Sequence, residues 1–460
     1  MYDILSSYKN IPLSEIVQET IPASIIFSED EYGLSLLENF EKIARQFDIE
    51  IKGKWEWDDR KSSIEQAEHI QKELAATDDP GVIYLATHAA EGVKIITALK
   101  DAGKTYPMIA SAALTRSFFD KLKSYIKEWE NPGYYSDGIY FITPFMLSLS
   151  GVKGVEFARK FIKKYNQEPK EVAACYYDAV DVAVRAMKKS SIHGKKHIRE
   201  DRRAIRTALA GLYNEEKGLK GVTGLIWFDK TGGVRREYAV GRWLKQQALP
   251  AFVQYNQNIG NVDDVLQGYL DGNVDIIGDM TVSSTQIVYV NIEELELTEI
   301  NKKKSEFTAK FRLRFRYPAR FDDSSEGSVI SPLEFTNALG PIILGEAIQD
   351  DGTEIITNKV FQVQGRFRAD FASGDSLFFN RKKKLIIRFR HTVQPYDNLI
   401  YVPGIADKQN IQLPEEWSSV EFRSYSDVLS KKTTLGNPEY FNTDYLLNYS
   451  RFNVVLSVVK

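Results

Sequence analysis

The sequence predicts an α/β first half built on a parallel sheet and an all-β second half built as an antiparallel sandwich. Two patterns carry that expectation. Before about residue 260, short apolar runs alternate with amphipathic helical stretches. Beyond about residue 285, the hydrophobic period switches to two. Composition is compatible with both halves. The chain has 460 residues, 43% hydrophobic and 27% charged, which excludes wholesale disorder and low-complexity architectures.

The elements follow in order. Ile21 to Phe27 is a continuous apolar run of strand length, followed by acidic residues, Gly33 and a helical pattern to Phe47. Acidic side chains at such a junction suit a helix N-terminus. Ile49 to Trp57 reads as a strand, Ser62 to Leu74 as a helix, Gly81 to Ala86 as a buried strand. A helix then runs through Lys100 and stops at Gly103, and Tyr106 to Ala110 is a further strand. Near-continuous apolar strands separated by helices imply βαβ units under helical cover. Gly154 to Tyr165, Ala173 to Lys188 and Ile198 to Leu212 read as helices. Gly221 to Asp229 and Glu237 to Trp243 are expected to pair as a hairpin around Lys230-Thr231-Gly232-Gly233.

Residues 254–284 are polar and read as a linker, dividing a first domain, 1–253, from a second, 285–460. In the second, Phe307, Ala309, Phe311, Leu313, Phe315 and Tyr317 face one way, and Lys310, Arg312, Arg314 and Arg316 the other. That is a strand with one buried and one solvated face. The pattern recurs at Val288 to Leu297, Val360 to Phe371, Leu385 to His391, Asn398 to Val402, Val420 to Tyr425 and Arg451 to Val459.

Charge and special residues exclude several functions. Net charge is −3, without the basic excess of a nucleic-acid binder, so no nucleic-acid partner is expected. One cysteine, Cys175, excludes an internal disulfide and a cysteine-based zinc site. No cofactor and no metal are expected. Gly103-Lys104-Thr105 lacks the opening glycine of a P-loop, since Ala98 stands there. His193 and His197 have i,i+4 spacing without the glutamate of HExxH. No catalytic set is visible, and an enzyme is not expected. No apolar run reaches the roughly 18 residues that span a bilayer.

Two family resemblances add to this. Glu29-Asp30-Glu31-Tyr32-Gly33 follows a strand. Gly81-Val82-Ile83-Tyr84, Tyr177-Asp178-Ala179-Val180 and Gly221-Val222-Thr223-Gly224 … Phe228-Asp229 … Gly232-Gly233 come after it, in that order. With these residues, about 20 to 245 resemble the type I periplasmic binding proteins of the branched-chain amino-acid class. The resemblance implies a two-lobed ligand cleft whose first lobe is nearly all missing here, with helices Gly154 to Lys188 returning to it. On the surviving wall it implies ligand contact by Tyr32, the stacking tyrosine, and by His88.

The second half carries Val290-Asn291-Ile292, Glu306-Phe307-Thr308-Ala309 and Arg314-Phe315-Arg316-Tyr317. It continues with Phe335-Thr336-Asn337-Ala338, Val363-Gln364-Gly365-Arg366-Phe367, Leu399-Ile400-Tyr401-Val402-Pro403, Leu435-Gly436-Asn437-Pro438 and Tyr449-Ser450-Arg451-Phe452. It resembles the extracellular domain of prokaryotic pentameric ligand-gated ion channels, relatives of Cys-loop receptors. That resemblance implies a homopentamer formed through the sandwich, a C-terminal membrane domain, and an aromatic ligand box between subunits. The box would draw on Tyr440, Phe441, Tyr445 and Tyr449, faced by Arg314 and Arg316 of the neighbouring copy. Such a box favours cationic ligands by cation–π attraction, while the arginines would favour a carboxylate. Phe378-Phe379-Asn380-Arg381 stands where that family has an aromatic-Pro-Phe-Asp turn, which puts coupling to a pore in doubt.

Together the resemblances imply an extracellular ligand-sensing region of a bacterial pentameric channel, at the periplasmic or extracellular face of the membrane. Its partner would be an amino-acid-like or amine small molecule. The alternative is a periplasmic small-molecule binding protein of an uptake system with a β-sandwich appendage.

Overall fold

The computed structural model describes residues 20–58, 60–194, 196–214, 217–257, 274–277, 280–321, 328–369, 383–405, 410–432 and 446–459, with Ile4 and Lys9 besides. Contacts divide the chain into two compact units. One comprises Ala23–Phe40 and Ile51–Pro250; the other comprises Ala251–Lys460 with Met1–Pro22 and Glu41–Glu50.

The first unit is α/β. Its strands are β1 (Ile21–Ser28), β2 (Ile49–Trp57), β3 (Val82–Ala86), β4 (Met108–Ala110) and β5 (Ile139–Thr143). After these come β6 (Leu219–Lys220), β7 (Leu225–Phe228), β8 (Val234–Arg235), β9 (Ala239–Leu244) and β10 (Gln247–Pro250). Its helices are α1 (Glu31–Gln46), α2 (Ser63–Ala76), α3 (Ala89–Asp101), α4 (Arg116–Leu122), α5 (Ile126–Glu130), α6 (Gly151–Tyr165), α7 (Glu171–Lys189) and α8 (Ile198–Ala210). Seven strands form one sheet in the order β10-β9-β5-β4-β3-β1-β2. β1, β3, β4 and β5 run parallel.

Local chemistry explains the elements. β1 is buried at every position but Pro22, as a strand covered on both faces is, and Ala23, Ile25 and Ile26 are fully buried. α2 begins at Ser62, whose hydroxyl accepts from the Glu65 amide, half of a capping box. The core gathers Ile26, Trp57, Ile83, Leu85, Ile96, Phe118, Phe141 and Trp243 around β3 to β5.

One pairing differs from expectation. The turn at Asp229 to Gly233 forms, with the Asp229 carboxylate accepting from the Thr231 and Gly233 amides. Yet only the two residues of β8 pair with β7. Residues 239–244, expected to complete that hairpin, instead enter the main sheet antiparallel to β5. Tertiary pairing there outweighs the local turn, because β5 would otherwise be an open edge beside a buried core.

The second unit is β. Its strands are β11 (Val253–Gln257), β12 (Val274–Ile277), β13 (Met280–Asn301), β14 (Glu306–Pro318), β15 (Leu333–Phe335) and β16 (Gln349–Asp350). They continue with β17 (Ile356–Arg368), β18 (Lys383–His391), β19 (Leu399–Pro403), β20 (Ile411–Gln412), β21 (Ser418–Lys432) and β22 (Leu446–Val459). One sheet runs β11-β13-β14-β17-β16, with β12, β19 and β20 also on β13; the other runs β15-β18-β22-β21. A single core lies between them, fed by alternate residues of both. The alternation of β14 holds in full: Phe307, Ala309, Phe311, Leu313, Phe315 and Tyr317 are buried.

Two expectations are corrected here. The segment 254–284 is not a plain linker, since β11 and β12 within it pair antiparallel with β13. The sandwich is also not purely antiparallel, because β13 takes β19 and β20 in parallel.

Candidate functional site

In the α/β unit the chain leaves β1 through α1 towards β2 on one side, and leaves β3 through α3 towards β4 on the other. β1 and β3 are parallel neighbours, so the loops after them diverge and open a crevice at their carboxyl ends. This is a topological switch point, where open α/β sheets bind ligands.

Three side chains meet there. The Asp30 carboxylate, just after β1, accepts from the Gly33 amide at 2.7 Å and so opens α1. Gly33 has to be glycine, because a Cβ would overlap the Ser28 backbone. The other Asp30 oxygen lies 2.7 Å from Nε2 of His88, which follows β3. The imidazole then stacks on the Tyr32 ring, with centroids 4.8 Å apart and planes at 25°. Both side chains stay open to solvent, His88 47% and Asp30 45% exposed. The only hydrogen bond that His88 makes through its ring among the described residues is this one through Nε2, and Nδ1 has no partner there.

The electrostatics follow from these contacts. The Gly33 amide, and then His88, hold the Asp30 carboxyl below its ordinary value. Nearby, Arg60 binds Glu29 and Asp58, and its hydrogen bonds hold Asp58 well below the carboxylate range. These two acids are therefore committed to Arg60, leaving Asp30 as the partly exposed acid paired with His88. Burial pushes the phenol of Tyr84 on β3 up to about 12, so it stays neutral beneath the site. A carboxyl held low stabilises the fold above its unfolded pKa, and that contribution disappears as pH falls through the folded value. The stability difference between Asp30→Asn and the wild type is therefore expected to shrink below about pH 4, measured by urea denaturation at pH 7 and pH 3.

The structure thus brings Tyr32 and His88 together, and adds Asp30. Asp30 stood in the sequence beside Tyr32, but only the cross-strand geometry reveals its bond to His88.

The sandwich residues are placed differently. Arg314 on β14 is held by both Glu293 oxygens, at 2.8 and 3.2 Å, and by Asn358 at 3.1 Å. Arg316 is exposed, in register with Tyr289 and Asn358. Tyr449 on β22 is covered by the Arg390 guanidinium, 4.2 Å from the ring centroid. That cation is in turn paired with Glu334 at 2.6 Å, and Lys431 reaches the same carboxylate at 3.3 Å. Arg390 and Lys431 hold the Glu334 carboxyl low against the opposing effect of burial. Sequence reasoning missed Arg390 and Glu334; the register Glu334↔Arg390 across β15 and β18 was the missing information. Tyr440, Phe441, Tyr445 and the Phe378 to Arg381 turn lie outside the described residues.

Residues 23–248 match a family model described as periplasmic binding protein. No curated protein matches the chain. Among solved structures it is similar to an ABC transporter substrate-binding protein from Desulfitobacterium hafniense, with 21% identity, 54% of this chain and 64% of that chain covered, and a TM-score of 0.39. It is also similar to the leucine binding protein LivK from Thermotoga maritima, at 18% identity, 57% and 64% coverage and a TM-score of 0.41. A third likeness is to the acetylcholine-binding protein of Bulinus truncatus, at 13% identity, 38% and 87% coverage and a TM-score of 0.28. The chain spans 64% of the length of each of the two substrate-binding proteins. Among the described residues no helix is long and apolar enough to cross a membrane.

Proposed function

We propose that residues 23–248 are a small-molecule recognition domain, and that the chain works as a periplasmic binding protein of an uptake system with the β-sandwich as an appendage. The observation that carries this reading is the meeting of Asp30, Tyr32 and His88 at the crevice between the loops after β1 and β3. The family-model match over residues 23–248 supports it. The site's chemistry suits an amino-acid-like or amine ligand: Tyr32 offers a ring face, Asp30 a carboxylate for an ammonium, and His88 a further polar ring atom at Nδ1. The reading includes no catalytic step. Titration calorimetry of amino acids and primary amines against the whole chain tests it. Saturable binding is expected, weakened at least tenfold in Tyr32→Ala and His88→Ala, about 1.4 kcal/mol or more. Absence of saturable heat from every compound would remove the reading.

A second reading makes the chain the extracellular ligand-sensing region of a bacterial pentameric ligand-gated ion channel. The single core between two sheets and the run of motifs along β13 to β22 support it. Here the face of Tyr449 is already occupied by Arg390, so an incoming cation would have to displace that guanidinium. Native mass spectrometry separates the readings: a pentamer favours the channel region, and any smaller species favours the binding protein.

A further inference from the structure

Helix α8 carries a stripe of arginine. Residues 188–206 hold eight lysines and arginines against two acids, in a chain whose net charge is −3. By the helical repeat, Arg199, Arg202, Arg203 and Arg206 fall within about 100° of arc and along about 10 Å of helix. All four are exposed. None of their side chains has a hydrogen-bond or ion-pair partner among the described residues. Elsewhere Arg60, Arg235, Arg314, Arg390 and Arg451 each hold a carboxylate. The two acids of α8 leave the stripe uncompensated. Asp201 is buried on the opposite side, where its carboxylate accepts from the His193 and Gly194 amides, both at 2.9 Å. Glu200 stands off the stripe, on its flank. The far half of the helix carries Ala204, Ile205, Ala208 and Leu209, all half-buried, and α8 packs along α7. The arginines are thus held outward by a helix fixed from behind.

We propose that this stripe docks the α/β unit onto an anionic phospholipid surface, its guanidinium groups binding headgroup phosphates. Like charges at i,i+3 and i,i+4 repel one another, and an external layer of phosphates relieves that repulsion. The planar guanidinium fork takes phosphate oxygens in pairs. Four or more basic side chains clustered on an amphipathic helix are the pattern that adsorbs to anionic lipid. The make-up of the stripe disfavours a protein partner, because interface cores are depleted of charge and enriched in aromatic residues. No aromatic or large apolar side chain lies within the arginine arc. The same lack disfavours a single-stranded nucleic acid, which needs stacking platforms. A headgroup layer is met by charge alone. The stripe lies on a different element from the Asp30–His88 crevice and does not depend on a ligand there.

Co-sedimentation of the full 460-residue chain with lipid vesicles tests the proposal. The probes are mixed phosphatidylglycerol–phosphatidylcholine vesicles and pure phosphatidylcholine vesicles, each at low and at high salt. A chain of net charge −3 is repelled as a whole by an anionic bilayer, so adsorption reports the local stripe. The wild type is expected on the phosphatidylglycerol vesicles at low salt, free of them at high salt, and never on phosphatidylcholine alone. The combined variant Arg199→Gln, Arg202→Gln, Arg203→Gln, Arg206→Gln is expected to adsorb about a hundredfold more weakly. These side chains are exposed, so its circular dichroism spectrum and melting temperature should match the wild type. If it melts early, the pair Arg202→Gln, Arg206→Gln makes the same comparison, with a loss of about tenfold. Lysine at all four positions keeps the charge and should keep most of the adsorption. The charge-matched control Lys42→Gln, Arg45→Gln, Lys72→Gln, Lys104→Gln removes four exposed cations elsewhere in the chain and should adsorb like the wild type. A wild type that ignores phosphatidylglycerol vesicles overturns the proposal, even where it binds an oligonucleotide or an acidic peptide. So does a glutamine variant that adsorbs as the wild type does, or a control that loses as much as the stripe variant. Ligand binding at the Asp30–His88 crevice is scored separately by calorimetry, so failure of either idea leaves the other standing.

Discussion

Replacing Glu128 with alanine is expected to destabilise the α/β unit by about 3–5 kcal/mol, the cost of stranding several buried donors at once. Glu128 is fully buried on α5, ahead of β5. Its carboxylate accepts from the amides of Gly133, Tyr135 and Ser136 at 3.0, 2.7 and 3.3 Å, and from the Ser136 hydroxyl at 2.8 Å. These groups shape the turn that delivers the chain into β5. Removing the carboxylate leaves them in a dry interior without an acceptor. Ser136→Ala removes one bond and is expected to cost about 1 kcal/mol. Thermal denaturation checks both: Glu128→Ala should melt roughly 10 °C lower, and hydrogen exchange should quicken first at β5. Equal melting temperatures for Glu128→Ala and Ser136→Ala would show that the carboxylate does not organise the turn.

Phe389→Ala is expected to cost the sandwich about 3–5 kcal/mol, through lost burial and an unfilled cavity. Phe389 on β18 is fully buried and packs against Phe315, Phe335, Tyr401 and Phe452, with centroids 5.4 to 6.1 Å away. Those rings come from both sheets, so the void would open where the sheets meet. Phe389→Leu retains most of the volume and should cost clearly less. Urea denaturation followed by sandwich-specific hydrogen exchange measures the difference. A cost under about 1 kcal/mol for the alanine variant would mean that the surrounding rings collapse into the space.

How much of this could be read beforehand varies with the range of the interaction. β14 was legible residue by residue, because one buried and one wet face impose a strict alternation from Phe307 to Tyr317. β1 and β2 were equally plain. β5 was not recognised: Ile139–Thr143 is five residues long and follows two short helices, too little for a period to declare itself. The hairpin at Gly232 was over-read, since turn chemistry fixes the turn but not which strand the chain joins afterwards. At the candidate site, Tyr32 and His88 came from family resemblance, while their joining through Asp30 spans 58 positions and depends on β1 lying next to β3. Arg314 looked available on a polar face. Glu293 claims it from the adjacent strand, where it stands opposite Arg312 and so diagonally across from Arg314, a cross-strand neighbour that no local pattern discloses.

The insertion of β9 beside β5 has a consequence for synthesis on the ribosome. β1 to β5 emerge in order and can pair as they appear, since each parallel neighbour precedes or closely follows the other. The outer hydrogen-bonding edge of β5 must wait until the chain from Pro144 to Tyr238, with three long helices, has been made. At ordinary elongation rates that wait is on the order of ten seconds. During it a buried-type strand, Ile-Tyr-Phe-Ile-Thr, presents an open edge to other nascent chains. A ribosome stalled before Ala239 would therefore hold a sheet nearly complete in strands yet exposed to misassociation, and β9 acts as the closing strand of the nascent domain.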